Sequence, residues 1–180
     1  YGADRIVGER NFGGAMVEHV IRTVNPAVSY KEVTASRGKW MRAEPVAALY
    51  EQGRVKHVGG FPKLEDEMCT FGMDGLSDGQ SPNRLDALVW AVTELALQGG
   101  TLMFAASESD IVVEGRKIPG YWQQAFAFDL DHERFAAIWA ARDPQTDVVY
   151  LFDEYRVVRA ELAVHKEALV KRGKWIPGLF

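Results

Sequence analysis

Ile6-Val7-Gly8-Glu9-Arg10-Asn11-Phe12-Gly13-Gly14 joins an apolar run, a carboxylate and a pair of glycines in one short segment. Arg5 to Glu9 reads as a short buried strand. Gly13-Gly14 then opens a helix in which Val17, Val20, Ile21 and Val24 keep the 3.6-residue period until Pro26 ends it. A strand that passes directly into a helix predicts an α/β fold.

The same alternation continues downstream. Val28 to Ala35 predicts a second strand, Ala43 to Gln52 a helix carrying Val46, Leu49 and Tyr50, and Arg54 to Val58 a third strand after the Gly53 cap. Leu64 to Phe71 reads as a short helix, and Gly72 to Asn83, rich in Gly, Asp and Ser, as a loop. A long helix is expected from Pro82 or Asn83 to Leu97, with Leu85, Leu88, Val89, Val92, Leu95 and Ala96 as its buried face. Gln98 to Gln124 reads as a connection with one short strand, Asp110 to Val113. Beyond it, Ala125 to Leu130, Phe135 to Ala141 and Val148 to Tyr155 form three consecutive strands. Turns at His132-Glu133 and Asp143-Pro144-Gln145 make them an antiparallel meander. Ala160 to Arg172 follows as a helix with Leu162, Ala163, Leu169 and Val170 inward, stopped by Gly173.

With 180 residues and 47% hydrophobic content, the chain can bury one sizeable core, so a single domain is expected. Its longest apolar runs are too short to cross a bilayer and its first residues lack a secretory pattern, which together predict a cytoplasmic protein. The single cysteine, Cys69, excludes an internal disulfide and a cysteine zinc cluster. A net charge of −4 argues against bulk electrostatic coating of nucleic acid. Locally, Arg37, Lys39, Arg42, Arg54, Lys56 and His57 precede the acidic block Glu65-Asp66-Glu67. That pattern fits either a dipolar surface receiving a phosphate backbone on one side or plain solvated loop charge.

Several chemistries are excluded by their missing motifs. Gly38-Lys39-Trp40 and Gly173-Lys174-Trp175 lack the spacing and hydroxyl of a P-loop, and neither a Gly-x-Ser-x-Gly elbow nor a His-Glu-x-x-His helix occurs. Carboxylates remain: Glu9 and Asp129 at predicted strand ends, and Asp86 in the first turn of the long helix. Hard oxygen ligands in such places suit Mg²⁺ or Mn²⁺, and two such ions about 4 Å apart serve phosphodiester hydrolysis. Each acid also has a structural reading: Glu9 as a solvated strand end, Asp86 as a partner of the helix dipole, Asp129 and Asp131 as turn residues. His132 either assists a metal or sits exposed in a turn, and Asn11 either orients a ligand or caps the following helix. Lys39 and Arg42 either clamp phosphate or pair with Glu44.

Residues 4 to 97 resemble the later part of the C-terminal nuclease domain of bacteriophage terminase large subunits. The resemblance rests on Ile6 to Gly14, Gly38-Lys39 with Arg42-Ala43-Glu44-Pro45-Val46, Tyr50-Glu51-Gln52-Gly53-Arg54-Val55 and Arg84-Leu85-Asp86-Ala87-Leu88-Val89-Trp90. Residues 110 to 177 resemble the opening of the same kind of domain, through Ile118-Pro119 with Trp122, Ala127-Phe128-Asp129, Ile138-Trp139-Ala140-Ala141, Asp143, Val149-Tyr150, Asp153-Glu154-Tyr155-Arg156 and Gly173-Lys174-Trp175-Ile176-Pro177. Such domains imply an RNase H-like mixed sheet flanked by helices and a metal-dependent endonuclease that cuts concatemeric viral DNA with two Mg²⁺ or Mn²⁺ ions. By resemblance, Asp129 is the acid of the first strand, Glu9 that of the strand after the first helix, and Asp86 that of the late helix, while Lys39 and Arg42 fall where the family presents basic residues to DNA. The implied partners are double-stranded DNA and the terminase ATPase, small terminase subunit or portal, with no membrane, in the cytoplasm of a bacterial host. The family's ATPase motor is missing from this chain.

The chain departs from the family in order. The family's meander comes first, whereas here residues 1–97 match the later half, 98–124 a connection and 125–180 the opening half. A circular permutation, a fusion of two terminase remnants and a swapped dimer each account for this. The rival to an active nuclease is an inactive terminase fragment that binds DNA or packaging proteins. A resolvase or transposase fits the acids but not the Glu44-Pro45 and Tyr50 to Val55 motifs.

Overall fold

The computed structural model describes residues 4–10, 18–19, 21–23, 25–96, 111–131 and 134–172. Asn11, Gly13-Gly14, His132 and the segment after Arg172, all invoked above, lie outside the described residues. The elements in chain order are β1 (Arg5–Glu9), β2 (Tyr30–Val33), α1 (Lys39–Glu51), β3 (Val55–Val58), α2 (Pro62–Thr70), β4 (Phe71–Gly72), β5 (Gly75–Leu76), α3 (Asn83–Ala96), β6 (Val112–Val113), β7 (Gln123–Asp131), β8 (Arg134–Arg142), β9 (Val149–Val158) and α4 (Leu162–Lys171). Seven of these strands form one sheet in the order β2-β1-β7-β8-β9-β3-β6. Within it β7-β8-β9 is the expected antiparallel meander, and the other neighbours pair in parallel. The result is the α/β mixed sheet flanked by helices that an RNase H-like fold requires.

Alternation along the strands sorts residues to two faces. Val7 on β1, Ala125 and Ala127 on β7, and Ile138 and Ala140 on β8 point to one face, where they pack with α1, α2 and α3. Ile6, Phe126, Phe128, Phe135 and Trp139 point to the other, joined by Ile21, Ala168 and Leu169. Small alanines face α3 and large aromatics face away from it, so the helix lies close across β7 and β8. Gly8 fits the same logic. A Cβ there would stand 2.7 Å from both Phe128 Cζ on β7 and Tyr30 Oη on β2, so the two strands that flank β1 need that position bare.

Some expectations change. The α1 helix starts at Lys39 rather than Ala43, with Pro45 inside it. Helix α3 is buried on nearly every side, including Arg84, Asp86, Trp90 and Glu94, because it lies between the sheet and α1 and α2. The loop expected at Gly72 to Asn83 begins with the β4-β5 hairpin. The last stretch of the expected connection is folded onto the sheet: β6 pairs with β3, and the Arg116 guanidinium lies over Trp122 and Tyr150. Among the described side chains of α4, His165, Ala168 and the expected Leu169 face inward while Ala163 is exposed; those of Leu162 and Val170 lie outside the described set. His165 lies against the Phe135 ring and meets the Tyr155 hydroxyl at 3.1 Å, which turns that side of the helix inward.

The acidic block on α2 is mostly not a solvated surface. Glu67 is buried and accepts hydrogen bonds from the Arg84 and Leu85 amides at 2.9 and 3.1 Å, so it caps the first turn of α3. It also receives Arg84 Nη1 at 3.2 Å and Arg156 Nη1 at 3.1 Å. Glu65 Oε1 lies 2.9 Å from Nδ1 of the fully buried His57, whose Nε2 meets the Tyr50 hydroxyl at 2.7 Å. Burial of His57 outweighs Glu65 and holds its pKa below the ordinary histidine value. The dipolar surface pictured from Arg37 to Glu67 therefore breaks up, since His57 and Glu67 belong to the interior.

Candidate metal centre

Two strand ends and one helix start meet at a single point. Strands β1 and β7 run parallel with Gly8 opposite Phe128, so Glu9 and Asp129, one residue further along each, emerge together at their C-terminal ends. Glu9 shares a face with Val7, and Asp129 shares one with Ala127, which places both on the side covered by α3. Asp86 stands in the first turn of α3 and closes the group from above. Each of the three offers a carboxylate oxygen, and these atoms all lie within 4.8 Å of one another. Among the described residues, the three acids singled out in the sequence converge.

Lys39 and Arg42 enter the same cluster. Lys39 Nζ lies 2.6 Å from Asp86 Oδ2 and 3.8 Å from Asp129 Oδ2, and donates to Ser81 Oγ at 3.0 Å. Arg42 reaches Asp86 Oδ1 at 2.8 Å and Glu9 Oε1 at 3.3 Å, with its guanidinium 4.7 Å from the centre of the Trp90 ring. Their ion pairs run to the site acids rather than to Glu44. Helical spacing accounts for this, because Lys39, Arg42, Val46 and Leu49 form one stripe of α1 that faces α3.

Three carboxylates against two cations leave a formal charge of −1 on the cluster. Burial pushes the Asp86 carboxyl above its ordinary value, Lys39 and then Arg42 pull it down, and Glu9 pushes it up again. Asp86 Oδ2 accepts no well-directed hydrogen bond despite the nearby ammonium, and Arg42 Nε is likewise buried without one. An all-oxygen donor set with such an oxygen suits a hard divalent ion.

Trp90 is a site residue that motif reading did not assign. Its indole Nε1 donates to Glu9 Oε2 at 3.0 Å while its face carries Arg42, so one ring orients both an acid and a cation. The signal was available: Trp90 follows Asp86 by one helical turn. Ser81 had no signal beyond its place just ahead of α3.

No curated protein and no solved structure matches the chain. A family model described as the terminase RNaseH-like domain matches residues 2–95, just over half of the 180 residues. RNase H-like nuclease domains generally use divalent metal ions, and the matched span supplies Glu9 and Asp86 of the acidic cluster. Among the described residues, no helix is long and apolar enough to cross a membrane. With its mixed sheet, converged acids and family match, the chain belongs to the terminase RNaseH-like domain family, whose role is of nuclease type in DNA packaging.

Proposed function

We propose that the chain is a divalent-metal-dependent DNA endonuclease, with Glu9, Asp86 and Asp129 as metal ligands. The observation that carries this reading is the convergence of the three carboxylates from β1, α3 and β7. Two Mg²⁺ or Mn²⁺ ions, when bound, supply an activated water and stabilise the leaving oxygen of a phosphodiester. Glu9 is held in place by the Trp90 indole, which leaves its other oxygen for Arg42 or a metal. Asp86, anchored in α3, and Asp129, anchored in the sheet, fix the remaining ligands on rigid elements. Lys39 and Arg42 are the phosphate contacts, their charge concentrated beside the acids rather than spread over the surface. Double-stranded DNA is the substrate, and the terminase ATPase, small subunit or portal are the protein partners, in the cytoplasm of a bacterial host.

The order of the chain is that of a permuted domain. Glu9 precedes Asp129 in sequence, yet β7 is seated between β1 and β8 in one sheet. That arrangement supports one composite unit in which residues 1–97 supply the later half, 98–124 the connection and 125–180 the opening half. It favours a working site over an inactive DNA-binding remnant, because a remnant has no need to keep the acids together.

The test is incubation of the purified chain with plasmid DNA and Mn²⁺, beside Glu9→Ala, Asp86→Ala and Asp129→Ala variants. The parent is expected to nick or linearise the plasmid, with each variant reduced by more than roughly 100-fold. No cutting by the parent at any protein concentration would leave the inactive remnant as the better reading.

A further inference from the structure

We infer that Lys39 is an exchangeable counter-ion, which holds Asp86 and Asp129 together until a divalent cation takes its position and frees its ammonium for phosphate. The inference rests on the metal reading above and explains how one residue serves both acids and DNA.

The two cations of the cluster are built differently. Arg42 is only 10% exposed, donates to Asp86 and lies within ion-pair distance of Glu9 from one planar group, and has its guanidinium over the Trp90 ring. Lys39 is 37% exposed, stands at the first residue of α1 and bridges two acids with a single point charge on a flexible stem. Lys39 Nζ is 2.6 Å from Asp86 Oδ2, close to the 2.0–2.6 Å or so at which a divalent cation binds a carboxylate oxygen. Ammonium and metal therefore compete for the same oxygen. Charge points the same way. One divalent ion added with Lys39 in place takes the cluster from −1 to +1 and a second to +3, whereas in exchange for Lys39 the same ions bring it to zero and to +2, always one positive charge fewer. Ser81 Oγ, 3.0 Å from Nζ, gives the departing ammonium a neutral partner outside the acids.

Two measurements on the full chain test the exchange. Mn²⁺ binding without DNA, followed by calorimetry and by the paramagnetic resonance of free Mn²⁺, compares the parent with Lys39→Met, which keeps the stem and removes the charge. The variant is expected to bind Mn²⁺ about 5-fold tighter, the gain from losing one competing half-exposed ion pair. Equal or weaker binding would overturn the exchange while leaving the metal site standing. Absence of saturable binding in both forms would instead overturn the metal reading beneath it. The second measurement is amine acylation of the unmodified parent, resolved by peptide mass spectrometry with exposed Lys63 as the internal reference. Labelling of Lys39 relative to Lys63 should rise several-fold when Mn²⁺ is added; an unchanged or reduced ratio would overturn the exchange.

Discussion

Replacing Arg42 by methionine removes the more deeply buried cation of the cluster while keeping most of its apolar stem. Two carboxylates, Asp86 and Glu9, then lose the guanidinium that lies 2.8 and 3.3 Å from them. Asp86 is itself only 2% exposed, so water cannot replace the lost partner. Breaking a buried ion pair from one side costs about 3–5 kcal/mol, and the lost stacking on Trp90 about 0.5–2 kcal/mol more. Lys39 remains beside Asp86 and offsets part of this, so about 3–5 kcal/mol is the expected total. For a chain of this size about 1 kcal/mol moves Tm by roughly 2–4 °C, which places the expected fall at about 6–20 °C. The assay is thermal and urea unfolding in chelator-containing buffer of Arg42→Met, Asp86→Asn and the double variant. In the double variant the Arg42–Asp86 pair is removed from both sides and only Glu9 still lacks the guanidinium, so its loss should fall short of the sum of the singles. A change within about 0.5 kcal/mol for Arg42→Met, or strict additivity, would refute the claim that the guanidinium holds the acids.

Two further outcomes follow from the packing around β1. Glu94 on α3 pairs with Arg5, and with Lys31 at 2.6 Å, tying β1 and β2 to the helix. Burial alone would raise its carboxyl, but the hydrogen bonds from Lys31 and Arg5 overcome this and hold its pKa below the ordinary value. A depressed folded pKa stabilises above the unfolded value, near 4.5, and the contribution is lost as pH falls through the folded one. The parent should therefore exceed Glu94→Gln by about 1–2 kcal/mol at pH 7, with the gap closing below pH 4.5 or so in melts across that range; a gap independent of pH would contradict the pairing. Gly8→Ala should cost about 1–3 kcal/mol in urea unfolding, because its Cβ would crowd Phe128 and Tyr30. A neutral result would mean that both side chains give way freely.

Much of the fold lay open in local pattern. The meander was visible because Phe126, Phe128, Phe135 and Trp139 alternate with small residues, and α3 because Leu85, Leu88, Val89, Val92 and Leu95 repeat at helical spacing. The start of α1 was hidden, since its N-cap residue Gly38 has no side chain to cap the helix and Pro45 looks like a helix opening. What extends the helix back to Lys39 is tertiary: Lys39 and Arg42 are drawn to the acids, and the Trp40 ring rests 5.8 Å from Phe71. Glu67 was misread as surface charge because three consecutive acids suggest solvent, though its spacing from Leu64 put it on the inward face. The three acids could be named from motifs, yet their meeting depends on β1 pairing with β7, a contact between residues more than a hundred positions apart that no local pattern contains.

The central claim is that Glu9, Asp86 and Asp129 share metal ions, and crystals soaked in Mn²⁺ test it most directly through anomalous scattering. A peak is expected about 2.0–2.6 Å from carboxylate oxygens of Asp86 and Asp129, with Glu9 in or next to the same coordination shell. Saturating Mn²⁺ that leaves these three carboxylates without a peak, or binds only elsewhere, would contradict it.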